Sequence, residues 1–257
     1  MLVFRGLTML ILKGESLAPF PRNFQLVSSG FIPDVFKGSS LNILTIAVGL
    51  LCTVAYIFIE LNGRKKQKKY QLQTTSGPLF VARIIVIACL INVFSYIFAT
   101  YEGIPYILVI LIALILAYSF VMKRTTMGRQ VYAIGGNANA ASLSGIKTPR
   151  VTFWIFVNMG VLAALTGLIV AARLNAATPK AGTNFELDAI AACFIGGASA
   201  YGGIGTVGGA IVGALVMGVM NNGMSILGLG IDWQQTIKGL VLLLAVAFDV
   251  YNKNKAV

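Results

Sequence analysis

Few residues of this sequence are of the types that carry out acid–base, nucleophilic or metal chemistry. Its 257 residues include no histidine, three cysteines and eight acidic residues, which excludes a histidine-based metal site and histidine acid–base catalysis. The patterns G-x-x-x-x-G-K-[ST], G-x-S-x-G and H-E-x-x-H do not occur, so nothing predicts a phosphate-binding loop, a nucleophile elbow or a zinc protease helix. We therefore expect a protein that is not an enzyme and that uses no cofactor or metal ion.

A glycine-rich segment at residues 203–208 fits the dinucleotide pattern G-x-G-x-x-G. That pattern is weak by itself, and here it stands in an apolar stretch with no strand–helix–strand context, so we reject a nucleotide site. Gly205, Gly209 and Gly213 recur at every fourth position. This spacing predicts one helix face that a neighbouring helix can approach closely, and it favours packing over contact with a ligand.

Polar side chains within apolar runs are the candidates for a functional site in lipid. A charged side chain inside an apolar run is costly and indicates function by default. Lys238 is such a residue, although its side chain could also extend to the membrane surface or pair with Asp232. The neutral amides could line a route for an uncharged polar solute, or they could only bridge helices by hydrogen bonds. The candidates for such a translocation path are Asn158, Asn221, Asn222, Gln234, Gln235 and Lys238.

The polar loop at residues 123–150 is the most informative segment between the apolar runs. Asn137 is a good helix N-cap, residues 138–143 are rich in alanine, and Gly145 suits the position after a helix end, so a short helix is predicted there. This helix could be a connector that packs on the membrane face, or a docking element for a cytoplasmic partner. The residue types alone leave both interpretations open.

Long apolar helices are the elements that must position these residues. Hydrophobic residues make up 57% of the chain and charged residues 11%, whereas soluble domains carry about 25% charged residues. A membrane span needs about 20 apolar residues. Five runs qualify, at residues 41–58, 79–99, 104–122, 151–172 and 231–250.

The stretch 189–220 is apolar throughout but is interrupted by glycines. Two short helices joined by a glycine-rich turn fit it better than one long helix, and they could either re-enter the bilayer or cross it twice. The predicted fold class is therefore all-α, a polytopic membrane helix bundle with a broken or re-entrant glycine-rich helix pair.

The positive charge is concentrated on one side of the predicted membrane. The net charge is +12, and most basic residues fall in segments 61–77 and 123–150 and in the C-terminal tail. Loops rich in Lys and Arg stay in the cytoplasm, so this side and the C-terminus are predicted to be cytoplasmic. Because topology accounts for the charge, no nucleic-acid partner is expected.

Several segments, taken in order, resemble a known family. They are Gly128-Arg129-x-x-Tyr132-Ala133-Ile134-Gly135-Gly136-Asn137, Leu143-Ser144-Gly145, 172–182, 185–192, Gly196-Gly197, Gly202-Gly203 and Asn221-Asn222-Gly223. This set is similar to the permease subunits of bacterial ATP-binding-cassette importers for monosaccharides such as ribose, galactose and xylose. The segments Pro19-Phe20-Pro21 and Asp232-Trp233-Gln234-Gln235 look most like xylose permeases.

The resemblance implies a permease subunit that moves a monosaccharide, xylose or another pentose, across the bacterial inner membrane. The implied partners are a cytoplasmic ATPase subunit, a periplasmic sugar-binding protein and a second permease copy in a homodimer within the lipid bilayer. The resemblance also implies that loop 123–150 docks on the ATPase. The residues implied in this coupling are Gly128, Arg129, Tyr132, Gly135, Gly136, Asn137, Ala141, Leu143, Ser144 and Gly145.

The same resemblance implies a single transmembrane permease domain over residues 1–257. Family members begin earlier, with further membrane helices, and the apolar segment 1–12 is expected to be the second half of a helix. The domain is therefore expected to lack its N-terminal helices. Two other classes of protein stay open as alternatives: a truncated membrane protein that does not transport, and a secondary transporter that needs no ATPase.

Overall fold

The computed structural model describes residues 2–33, 42–70 and 77–255. Within these ranges the chain is helical, with two isolated β-bridges and no longer strand. The helices are α1 (Leu2–Leu12), α2 (Arg22–Ser29), α3 (Ile43–Lys69), α4 (Gly77–Thr100), α5 (Tyr106–Arg124), α6 (Thr126–Gly136), α7 (Ala138–Leu143), α8 (Thr148–Leu174), α9 (Phe185–Ile195), α10 (Val207–Ile226) and α11 (Ile231–Lys255).

Six helices in the described ranges are long and apolar enough to cross a membrane: α3, α4, α5, α8, α10 and α11. The predicted all-α, polytopic membrane fold is confirmed. Each of the five predicted spans coincides with one of these helices, except that residue 41, the start of the first, lies outside the described residues. The helix that the sequence does not predict as a long span is α10.

The predicted break within residues 189–220 is confirmed, since α9 and α10 are separate helices joined by a turn. α9 has 11 residues and α10 has 20, which at 1.5 Å per residue correspond to lengths of about 16 and 30 Å. The apolar core of a bilayer is about 30 Å thick, so only α10 matches it. The expectation that both helices are short is therefore wrong for α10.

The chain divides into two compact units, Met1–Phe20 with Ile110–Val257, and Pro21–Val109. In the second unit, α3 and α4 pack as an antiparallel pair. Asn92 Nδ2 donates to Thr53 Oγ1 at 3.0 Å, and Ser95 Oγ donates to the Thr45 carbonyl oxygen at 2.9 Å. Gly49 lets the backbone of α3 approach Ser95. Small residues and interhelical hydrogen bonds of this kind hold helices together in lipid, where the hydrophobic effect gives no net attraction.

In the first unit, α9 packs against both α10 and α11. Three buried residues form the centre of this contact, Ala191, Ala192 and Met217. The partly buried hydrophobic residues around them are Ile195, Met220, Val241 and Leu242. Small alanines on α9 therefore meet larger side chains of its two neighbours, which keeps the three helices close.

Two glycines bring α10 into backbone contact with α9. A Cβ atom at Gly209 would overlap the carbonyl oxygen of Gly196, and one at Gly213 would overlap that of Ala192. Gly205 is not on this face, because α10 begins two residues later and Gly205 lies in the preceding turn with a φ of +153°. The prediction that all three glycines share one helix face is therefore wrong for Gly205.

The N-terminal segment belongs to the same unit and contacts the start of α9. The Arg5 guanidinium pairs with the Glu186 carboxylate at 3.1 Å. Further along, Leu17 forms an antiparallel bridge with Ala177. These contacts anchor the short helix α1 beside the segment that links α8 to α9.

Candidate functional site

The polar loop 123–150 folds into two consecutive helices, α6 and α7. The short helix predicted at residues 138–143 is confirmed as α7. Asn137 Oδ1 accepts a hydrogen bond from the Ala140 N–H at 3.0 Å and so caps the helix. Gly145 follows the helix end with a φ of +84°, a backbone conformation that favours glycine.

The sequence does not predict α6, because three glycines lower the helix propensity of this segment. The available signal is Thr125, whose hydroxyl accepts a hydrogen bond from the Gly128 N–H at 3.3 Å and caps the first turn. Gly128 is buried against the end of α5, where a Cβ atom would overlap the backbone of Met122. The chain can therefore turn sharply from α5 into α6.

The ten residues implied in ATPase coupling are distributed over both helices and their ends. Gly128 and Ala141 are buried, and Tyr132 and Gly135 are half-buried. The exposed ones are Arg129, Gly136, Asn137, Leu143, Ser144 and Gly145. Leu143 is 90% exposed, so α7 presents an apolar side chain at its outer end while Ala141 faces the protein.

Helix α6 is in backbone contact with the turn between α9 and α10. A Cβ atom at Gly135 would lie 2.5 Å from the Gly203 nitrogen, and one at Gly202 would lie 2.6 Å from the Gly135 carbonyl oxygen. Gly202 and Gly203 have φ angles of +85° and +74°, which favour glycine. The Tyr132 hydroxyl also donates to the Gly205 carbonyl oxygen at 2.8 Å. Backbone contacts and one side-chain hydrogen bond therefore join α6 directly to the turn.

The same turn is bound to the end of α11. The Asp249 carboxylate accepts hydrogen bonds from the Ala200 N–H at 2.9 Å and from Ser199 Oγ at 3.3 Å. The turn of residues 196–206 therefore joins α6, α9, α10 and α11 at one place.

A polar cluster lies near the opposite end of α9. Lys238 Nζ is 2.9 Å from Asp188 Oδ2, and Asn221 Nδ2 donates to the same oxygen at 3.1 Å. The suggested partner of Lys238, Asp232, is wrong: the ion pair forms with Asp188, which is far away in sequence. Asp188 is not among the path residues predicted from sequence. An acidic residue in the first turn of a helix is stabilised by the helix dipole, so its position alone does not indicate a functional site.

The predicted path residues do not all come together. Gln234 is half-buried on the same face of α11 as Lys238, and its Nε2 donates to the Leu229 carbonyl oxygen at 2.9 Å. Asn222 and Gln235 are exposed on the outer faces of their helices. Asn158 is on α8, where its Oδ1 accepts a hydrogen bond from the Tyr118 hydroxyl at 2.5 Å.

Asn158 belongs to a separate, mainly apolar cavity of about 470 Å³ between α5, α6 and α8. Tyr118, Trp154 and Gly128 also line it. Over the described ranges, no group of three His, Cys, Asp or Glu side chains could hold a metal ion.

Apolar spans, a helical loop in contact with the turn of a broken helix pair, and a polar cluster between helices define a multi-pass membrane protein of the transport class. Residues 35–246 match the family model described as "Branched-chain amino acid transport system / permease component". The chain belongs to this permease family, so the resemblance to transport permeases predicted from sequence is confirmed.

The curated relatives include permeases of sugar transport systems. The chain is 37% identical to the xylose transport system permease protein of Haemophilus influenzae over 254 residues, 99% of this chain and 66% of that protein. It is 36% identical to that of Escherichia coli K12 over 256 residues, 100% of this chain and 63% of that protein. The ribose import permease protein of Bacillus subtilis is 43% identical over 147 residues, 57% of this chain and 46% of that protein.

The chain thus spans slightly less than two thirds of the length of the xylose permeases that it matches. No solved structure matches the chain significantly.

Proposed function

We propose that this chain is the membrane permease component of an ATP-driven importer of a monosaccharide, xylose or a related pentose, in the bacterial inner membrane. The names of its relatives support xylose as the transported sugar, since the identity to xylose permeases extends over almost the whole chain. ATP hydrolysis takes place in a partner ATPase on the cytoplasmic side, and a periplasmic sugar-binding protein delivers the sugar. The chain is one permease domain, with loop 123–150 as its coupling loop.

The observation that carries this proposal is the contact between loop 123–150 and the α9–α10 turn. Asn137 ends α6 and caps α7, since its N–H bonds to the Ala133 carbonyl oxygen and its side chain accepts from Ala140. The two helices therefore move together when a partner binds the exposed end of α7 at Leu143. That motion reaches the turn through Gly135 and the hydroxyl of Tyr132. An ATPase docked on α7 can thus act on α9, α10 and α11.

The charge distribution supports an orientation with the C-terminus in the cytoplasm. The last turn of α5 contains Lys123 and Arg124, and loop 123–150 continues with further basic residues. The positive-inside rule assigns this loop to the cytoplasm. Helix α11 ends close to the turn that α6 contacts, because Asp249 bonds to Ala200. The C-terminal end of α11 therefore lies on the same side as the coupling loop.

A second copy of the permease is the expected partner within the membrane. At most 17% of the residues in the apolar window of any of the six spans are buried within this chain, so most residues of the spans leave surface open to lipid or to another protein. Two copies related by a two-fold axis would present two coupling loops to two ATPases.

The test is sugar uptake by the importer, assembled in liposomes from the full chain, an ATPase and a sugar-binding protein of the same genome. We expect labelled xylose to accumulate only when ATP is supplied on the side of the ATPase. No uptake of xylose, ribose or galactose by the assembled complex would overturn the proposal and favour a protein that does not transport. Equal uptake with a hydrolysis-deficient ATPase would make it a secondary transporter. Uptake of leucine in place of sugars would overturn the assignment of the substrate.

A further inference from the structure

Three polar side chains from three helices converge within the first unit. Asp188 is in the first turn of α9, Asn221 is in the last two turns of α10, and Lys238 is about two turns into α11. Lys238 Nζ and Asn221 Nδ2 both contact one oxygen of Asp188, at 2.9 and 3.1 Å. Seven residues of helix separate Lys238 from the start of α11, which places it about 10 Å along the helix axis. The cluster is thus within the depth of the apolar spans.

Two oxygen atoms of this cluster are without a hydrogen bond. Asp188 Oδ1 and Asn221 Oδ1 are buried and have no donor among the described residues. Buried acceptors are normally paired, because each has given up its hydrogen bonds to water. The positive and negative charges of the cluster compensate each other, but two of its oxygen atoms still lack a hydrogen-bond donor.

These oxygens accept hydrogen bonds, so the missing groups are donors. The site carries no net charge, because the Lys238 ammonium neutralises the Asp188 carboxylate. A cationic or anionic solute would compete with one member of that pair, and the other member would be left uncompensated in a poorly solvated place. A neutral molecule with several hydroxyl groups supplies donors and leaves the ion pair intact.

We propose that Asp188, Asn221 and Lys238 form a binding site for an uncharged, polyhydroxylated solute within the bundle. This inference rests on the proposed function, for it names the place where the transported sugar is held. In the state described here both oxygens are inaccessible to solvent, whereas the side chains of Lys238 and Asp188 are 21% and 19% exposed. Separation of α11 or α10 from α9 would expose both oxygens.

The first experiment replaces the ion pair by apolar residues of similar size, in the double variant Asp188→Leu/Lys238→Met. Such a replacement of a largely buried pair often preserves folding, but it removes a hydroxyl acceptor and the ammonium group. We expect the variant to insert and to assemble with the ATPase, while ATP-dependent xylose uptake falls at least tenfold. Uptake equal to that of the wild type would show that the pair is only structural, and would overturn the proposal.

The second experiment keeps the ion pair and removes only the amide, in Asn221→Ala. The loss of one hydrogen bond to a bound hydroxyl predicts a decrease in uptake of about tenfold. The matched control is Ser225→Ala, one turn further along α10, where the exposed hydroxyl donates to the Asn221 carbonyl oxygen of its own helix. Equal uptake by Asn221→Ala and Ser225→Ala would contradict the site even if the double variant failed to fold.

Sugar uptake by the wild-type importer distinguishes a failure of the proposed function from a failure of the proposed binding site. If the wild type takes up no sugar, the proposed function fails. If the wild type transports xylose and both variants transport it equally well, the proposed function stands and the binding site is wrong. A deoxy analogue gives a further check, because removal of a hydroxyl that bonds to Asn221 should reduce transport by the wild type more than by Asn221→Ala.

Discussion

Gly135 and Gly136 are adjacent in the sequence, yet their surroundings differ. A Cβ atom at Gly135 would lie 2.5 Å from the backbone nitrogen of Gly203, whereas one at Gly136 would have nothing within 4 Å. The need for glycine at the contact with the α9–α10 turn is therefore specific to one of the two positions on α6.

We predict that Gly135→Ala impairs coupling and that Gly136→Ala does not. The added methyl group at residue 135 forces α6 away from the turn, and overpacking of this kind costs about 1–3 kcal/mol. In the assembled importer, Gly135→Ala should hydrolyse ATP with little sugar uptake, measured as ATP consumed per xylose transported. Gly136→Ala serves as the control with unchanged stoichiometry, and an equal effect of both substitutions would exclude this contact as the reason.

Local chemistry is what the sequence predicts well at this scale. The cap at Asn137 and the glycine at residue 145 were predictable because both act on their own helix end. The pairing of Lys238 with Asp188 was not, because the two residues are fifty positions apart and only packing of α9 on α11 brings them together. A nearby carboxylate, Asp232, is the natural choice without that packing, and it is wrong.

Among the elements, α9 and α10 depend on glycine for their close approach. A side chain at Gly213 would overlap the Ala192 carbonyl oxygen, but one at Gly218, on the same helix, would meet nothing within 4 Å. Gly213 is therefore required for the packing of α10 on α9, whereas Gly218 is not.

We predict that Gly213→Ala lowers the thermal stability of the purified protein in detergent, because overpacking costs about 1–3 kcal/mol. Gly218→Ala should leave stability unchanged or raise it by up to about 1 kcal/mol, since alanine has the higher helix propensity. The measurement is the melting midpoint of both variants against the wild type. A lower midpoint for Gly218→Ala alone would contradict the packing of α9 on α10.

Apolar runs predict the long helices because length and hydropathy are properties of a continuous segment. The helix α6 and the full length of α10 are harder to predict, because glycine lowers local helix propensity in both. In α10, close contact with α9 compensates for the low helix propensity of Gly209 and Gly213. In α6, contact with the α9–α10 turn does the same for Gly135. Both contacts depend on the tertiary structure and cannot be inferred from the local sequence.

For the whole molecule, the distribution of charge predicts one orientation in the membrane. We expect a cysteine placed at Ser144 to react with a membrane-impermeant maleimide only after the inner membrane is permeabilised. A cysteine at Lys180, between α8 and α9, should react in intact cells. Both positions are exposed. The native Cys52, Cys89 and Cys193 are also exposed and must first be replaced by serine. The reverse labelling pattern would contradict a cytoplasmic coupling loop.

The short helix α9 joins the two sites of the molecule, with Asp188 of the polar cluster near one end and the turn contacted by α6 at the other. Ala192 lies midway, one helical turn from Asp188 and one from Gly196, where its carbonyl oxygen is in contact with Gly213. Gly196 is likewise in contact with Gly209, so the half of α9 that faces the turn is held against α10 at two points. The eight residues from Asp188 to Gly196 extend over about 12 Å of helix. A shift of the turn contacted by α6 therefore has a rigid route of two helical turns to the ion pair between Lys238 and Asp188.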